Sequence, residues 1–186
     1  MSDICLNCPL KLFNDKTYNI QGIGNPYAGK LILLPSINYK SYQILNNDNC
    51  KSKIKQLLNA HLSSTGVLDS NYYLLPIIRC KIDDSFGLDN VSYSKCIKLL
   101  SEDFKKYDFK HIHILGDAVD KFLHKNIAYN LNNVFVSTNG RFYTVNYSPN
   151  IKYIDDNKYK LYLTYLNSWL SSSINNDYSN YKIQRL

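Results

Sequence analysis

Short apolar runs that alternate with helical patterns predict an α/β protein whose sheet is parallel or mostly parallel and covered on both faces. Three observations carry that prediction. Lys30-Leu31-Ile32-Leu33-Leu34 is an apolar run stopped by Pro35, and Tyr72 to Ile78 is a second one, interrupted by Pro76. Lys110-His111-Ile112-His113-Ile114-Leu115 alternates and then reaches Gly116-Asp117. Between and after these runs lie segments of helical spacing.

Taken in order, Gly22 to Tyr27 is a turn-rich approach to the first strand. Residues 51–62 place Ile54, Leu57, Leu58 and Leu62 on one helical face, with lysines mainly opposite. Ser92 to Tyr107 has helical spacing, with Cys96, Leu99, Leu100 and Phe104 near one stripe. A further helix begins at Asp117 and carries Val119, Phe122 and Leu123. Phe135–Ser137 and Phe142–Val145 flank Asn139-Gly140, a hairpin signal because both turn positions accept positive φ. A long helix is predicted from Asp156 to Leu170, with Tyr159, Tyr162, Leu163, Leu166 and Trp169 on its apolar side. From about Ser171 a polar, frayed tail is expected. Residues 1–186 read as one domain, without an internal repeat or a dividing linker.

Composition narrows the function classes. Hydrophobic residues are 45% of the chain, a globular value. No apolar stretch approaches a membrane span, and the N-terminus lacks the pattern of a signal peptide, so the protein is expected inside the cell. The formal charge of +7 suits encounters with polyanions such as DNA. Neither Gly-x-Gly-x-x-Gly nor a phosphate-loop motif follows the first strand, which argues against a nucleotide cofactor. His111 and His113 share one side of their strand and read as sheet-face residues.

Five cysteines are the remaining signal. Cys5 and Cys8 have the Cys-x2-Cys spacing that lets two thiolates grip one metal centre, and Cys80 and Cys96 could complete a four-thiolate site. Cys50 follows a polar run and looks unrelated. Such a site is structural zinc or an iron–sulfur cluster, and spacing does not separate the two. A short pair plus two core thiols is the plain alternative.

Cys5-Leu6-Asn7-Cys8, Gly24-Asn25-Pro26-Tyr27-Ala28, Cys80 with Cys96, and Leu115-Gly116-Asp117-Ala118 together resemble the iron–sulfur uracil-DNA glycosylases over roughly residues 4–170. The resemblance implies a three-layer αβα fold with a central, mostly parallel four-stranded sheet. It also implies a [4Fe-4S] cluster held by Cys5, Cys8, Cys80 and Cys96, with zinc as the alternative metal. The family's catalytic elements are missing. Pro35-Ser36-Ile37-Asn38-Tyr39 has no carboxylate where the family carries its acid, Pro76 replaces the base-reading Asn, and Ser148 stands in place of a histidine. No catalytic residue is therefore assigned. A non-catalytic, DNA-binding or replication accessory protein is expected, with DNA held by phosphate contacts and a DNA polymerase or other replication protein as partner. It would act in the cytoplasm, at a nucleoid or at a viral replication site. Lys51, Lys53, Lys55, Arg79, Lys81 and Lys152 are the candidate phosphate contacts, and Ile151 and Tyr153 the candidate wedge. The alternatives are a diverged glycosylase using Asp117, Asp83 or Asp84, with Tyr147 stacking on the base, and a protein-binding or inhibitory module.

Overall fold

A computed structural model describes residues 3–12, 22–35, 71–80, 90–116, 131–148, 151 and 154–186. These segments build one seven-stranded sheet. Its strands are β1 (Ile23–Gly24), β2 (Lys30–Leu34), β3 (Tyr73–Pro76), β4 (His111–Leu115), β5 (Asn133–Val136), β6 (Phe142–Asn146) and β7 (Lys182–Arg185). They lie in the order β1-β3-β2-β4-β6-β5-β7. The pairings β3–β2, β2–β4, β4–β6 and β5–β7 are parallel, whereas β1–β3 and β5–β6 are antiparallel. The four-stranded sheet of a uracil-DNA-glycosylase-like fold is thus corrected to a mixed sheet of seven. Two strands escaped sequence reading: β1 is only two residues long, and β7 is exposed at every position, so neither carries an apolar pattern.

Alternation along the strands gives the sheet two buried faces. Leu31, Leu33, Leu75, Ile112, Ile114, Phe135 and Tyr143 point to one cluster, which also holds Cys8, Leu10, Cys96 and Leu100. Those last four come from α1 (Pro9–Leu12) and α2 (Asn90–Lys106), or from just before α1. Ile32, Leu34, Leu74, Leu115 and Val134 point the other way, against Tyr162, Leu166, Trp169 and Leu170 of α3 (Asp156–Asn175).

Helix α3 starts where Asp155, in extended conformation, accepts hydrogen bonds from the amides of Asn157 and Lys158, both at 3.0 Å. It runs past the predicted end at Leu170 because buried Ser172 and Ser173 neither break the helix nor expose apolar surface. It stops at Asn176, whose left-handed backbone directs its N–H to the Ser172 carbonyl. The chain then returns beneath the sheet, inserting Tyr178 and Tyr181 into the α3-side core before β7. The expected frayed tail is therefore ordered structure. The hairpin at Asn139-Gly140 forms as predicted, with Gly140 at φ 76°. The helices predicted at 51–62 and from Asp117 lie outside the described residues. Among the described residues no helix is long and apolar enough to cross a membrane.

Candidate functional site

The four cysteines do come to one corner. A 3-10 turn (Asp3–Cys5) and α1 lie against α2, and Lys95 Nζ of α2 donates to the Asn7 carbonyl at 2.6 Å. Cys5, Cys8, Cys80 and Cys96 are each no more than 5% exposed. Burial pushes the Cys96 thiol up to about 11, with Cys80, Cys8 and Cys5 adding to the shift and the Arg79 backbone amide opposing it. Cys8 Sγ donates to Ser92 Oγ at 3.6 Å.

Yet among the described residues no group of three or more His, Cys, Asp or Glu is placed to hold a metal ion. The [4Fe-4S] cluster expected on Cys5, Cys8, Cys80 and Cys96, and the zinc alternative, are corrected accordingly, as is the function built on that cluster. The four buried thiols act here as small apolar core residues. They close the end of β3 against α1 and α2.

Arg79, expected at a phosphate, is 6% exposed and forms an ion pair with Asp103 of α2. Desolvation lowers its affinity for a proton. It belongs to the thiol corner and is no surface contact. Lys51, Lys53, Lys55, Lys81, Lys152, Tyr153, Asp83, Asp84 and Asp117 lie outside the described residues. Ile151 is half-buried against the α3-side core.

Strand order reverses between β2 and β4, and open α/β sheets place ligands outside the carboxyl ends at such a point. The described residues there are Pro35, Ile77, Ile78, Gly116, Tyr147 and Ser148. Ile77 N–H donates to the Leu34 carbonyl at 2.8 Å and Ile78 N–H to the Pro35 carbonyl at 3.2 Å. Gly116, at φ 58°, sits so close to Ser148 that a Cβ would meet the serine Cβ at 2.9 Å. Pro76 is buried within β3. Half-buried Tyr147 packs against the core on both faces of the sheet. Ser36 and Asn38 lie outside the described residues. At this end the described chain therefore presents apolar and small side chains.

Both strand histidines serve the core. His113 is 1% exposed and stacks on Trp169 at 4.8 Å. Thr144 Oγ1 donates to the Ile112 carbonyl at 3.5 Å, which leaves the oxygen to accept from His113 Nδ1 at 2.8 Å. Asn146 Nδ2 then donates to His113 Nε2 at 3.2 Å and to the Tyr162 carbonyl at 3.0 Å. The network fixes the neutral Nδ1–H tautomer. Burial pushes the His113 pKa down to about 3. His111 Nδ1 meets Tyr178 Oη at 2.8 Å, and its ring stacks on Phe142 and Tyr178.

The opposite end of the sheet differs in chemistry. Register aligns Lys30, His111, Phe142, Val136 and Arg185 in one row from β2 to β7. At about 4.8 Å per strand that row spans roughly 19 Å. Lys110 and Arg141 immediately precede β4 and β6, and Lys105 and Lys106 end α2, one turn of chain before β4. Lys30 and Lys110 both depress the His111 pKa, after burial. Arg141 lies over the Phe104 ring at 4.9 Å and donates to the Phe104 carbonyl at 3.1 Å. Lys106 Nζ sits 5.0 Å from the Tyr107 ring, and Tyr27, 77% exposed, meets that ring edge-on at 5.3 Å. Exposed Asp108 forms a 3.8 Å ion pair with Lys110. The row ends at β7, the edge of the sheet among the described residues, where all four residues are exposed.

Sequence reading missed this surface because its cations come from five separate segments that only the fold brings to one end of the sheet. No family model matches the chain, and no curated protein matches it either. The resemblance to the iron–sulfur uracil-DNA glycosylases is corrected on both grounds: neither comparison supports it, and the ligand geometry it requires is not formed.

Proposed function

We propose that the protein works by association, presenting the basic end of its sheet to an acidic partner protein. The observation that carries this reading is the gathering of cations at one end of the sheet, Lys30 and Arg185 at the two ends of the register row and Lys110 and Arg141 just before β4 and β6, beside a strand exposed at every position. The net charge of +7 supports it by raising encounter rates with acidic surfaces. Tyr27, exposed and seated edge-on against half-buried Tyr107, adds aromatic area of the kind that anchors protein interfaces.

A protein fits this surface better than a nucleic acid does. A phosphodiester backbone offers acceptors to cations but no donors for the carbonyls of an open sheet edge, whereas a peptide supplies both. The test is binding of a glutamate-rich peptide and of oligothymidine to wild type and to the Lys110→Glu/Arg185→Glu variant, across a salt series. Salt-sensitive peptide binding that the variant loses is the expected result. Preferential binding of oligothymidine would overturn the reading and favour DNA as partner.

A further inference from the structure

We infer that β7 is a docking edge at which an extended acidic segment of a partner protein adds as one further strand. This rests on the reading of the protein as a binder of an acidic partner and specifies the mode of recognition.

The ladder determines which backbone groups of β7 no described strand engages. Lys182 N–H donates to the Asn132 carbonyl at 2.9 Å and Leu186 N–H to the Val136 carbonyl at 3.0 Å. In a parallel pair, alternate residues of a strand bond the same neighbour, so Lys182, Gln184 and Leu186 face β5. Ile183 and Arg185 therefore turn their N–H and C=O groups away from the sheet. Each carries one donor and one acceptor, so an added antiparallel strand gains two hydrogen bonds at each residue.

Side-chain parity sets the partner's chemistry. Ile183 and Arg185 lie on the α3 face, beside Val134 and Val136, while Lys182 and Gln184 lie on the α2 face. Ile183 is 64% exposed, an apolar side chain in contact with water beside the free backbone. An antiparallel segment meets these in the order acid, any residue, apolar β-branched residue, acid. The first acid faces Arg185, the apolar residue faces Ile183, and the second acid faces Lys182. Cations on an edge strand normally deter chance pairing, and here the same pair selects for carboxylates. A second copy of this chain would bring another +7 to the contact, which disfavours self-pairing.

The test uses a short peptide containing glutamate–threonine–valine–glutamate, with a control in which lysines replace the glutamates. Hydrogen exchange of the full chain with saturating peptide reports on wild type directly. Slowed exchange at the Ile183 and Arg185 amides is expected. Ile183→Pro removes an outward N–H while leaving the bonds to β5, and should weaken binding about tenfold with an unchanged melting temperature. Should that variant melt early, the wild-type exchange pattern alone decides. Peptide binding that is salt-sensitive but gives no protection at those two amides would overturn edge pairing and leave the acidic-partner reading standing. No binding of the acidic peptide, or equal binding of the lysine control, would overturn both. Concentration-dependent dimers that Ile183→Pro abolishes would overturn the inference in favour of a second copy as occupant.

Discussion

Burial of neutral His113 should make this protein lose stability as the pH falls below 6.5, before its carboxylates titrate. The imidazole is buried between Trp169 and Thr144, and desolvation alone holds its folded pKa near 3 against an ordinary 6.5. Between these values the unfolded chain binds the extra proton, so stability rises with pH. It is fully present above pH 6.5 and is lost as pH falls from there toward 3. At pH 5 the solution lies 1.5 units below the unfolded value, and each unit corresponds to 1.36 kcal/mol, giving a loss of about 2 kcal/mol. That is a sizeable part of the roughly 5–15 kcal/mol of a typical domain. Trp169, the one tryptophan of the chain, stacks on this ring and reports unfolding by fluorescence. Urea titrations at pH 7.5 and pH 5 should show wild type losing about 2 kcal/mol more than His113→Gln, whose side chain does not titrate. Burial also depresses the His111 pKa, but that group is common to both proteins and cancels in the comparison. Equal losses in wild type and variant would refute the reasoning.

Removing one partner of the buried Arg79–Asp103 pair leaves an uncompensated charge, so Asp103→Asn should cost about 3 kcal/mol in denaturant titrations. Arg79→Met combined with Asp103→Leu should recover most of that loss, since an apolar pair needs no desolvated charge. Gly116→Ala forces a side chain into left-handed backbone and against Ser148, and should lower stability by about 2 kcal/mol or more by the same measurement. Cys5, Cys8, Cys80 and Cys96 should resist an aromatic disulfide reagent in the folded state and react once guanidinium unfolds the chain, because burial makes them inaccessible and also raises the Cys96 pKa. Fast reaction at any of the four in native buffer would show that the corner is open.

The elements that could be read from the sequence are those whose burial writes a period into the chain. Strand β2 matches its apolar run from Lys30 to Leu34, and α2 places Cys96, Leu99 and Leu100 inward at helical spacing. The β5–β6 hairpin follows from the conformational tolerance of Asn139-Gly140. Strand β7 has no such period. Its four residues stay in water, and its position is held by the ladder to β5 and by Tyr178 and Tyr181 anchored beneath the sheet. The cysteine spacing was legible too, but spacing records which thiols can meet and not whether they meet at ligand distances. Burial brings these four into one corner without bringing three of them around a single point. Arg79 misled for a related reason: a cation beside a candidate ligand looks like a surface contact until Asp103, 24 residues away in sequence, is seen to neutralise it.

The distribution of polar groups separates the two ends of the sheet. Toward the carboxyl ends, Asn146, Thr144 and His113 bond one another inside the core, and Gly116 closes against Ser148. Polar groups there satisfy each other and fix side-chain positions, which is a structural task. At the opposite end of the sheet, Lys30 and Arg185 stand at the two ends of a row whose middle positions, His111 and Phe142, pack with Tyr178, and Lys110 lies beside it. Two of the four β7 residues also turn their backbone groups away from the sheet. Charge and open hydrogen-bonding capacity therefore coincide at the β7 end of this row, where a peptide strand could satisfy both at once.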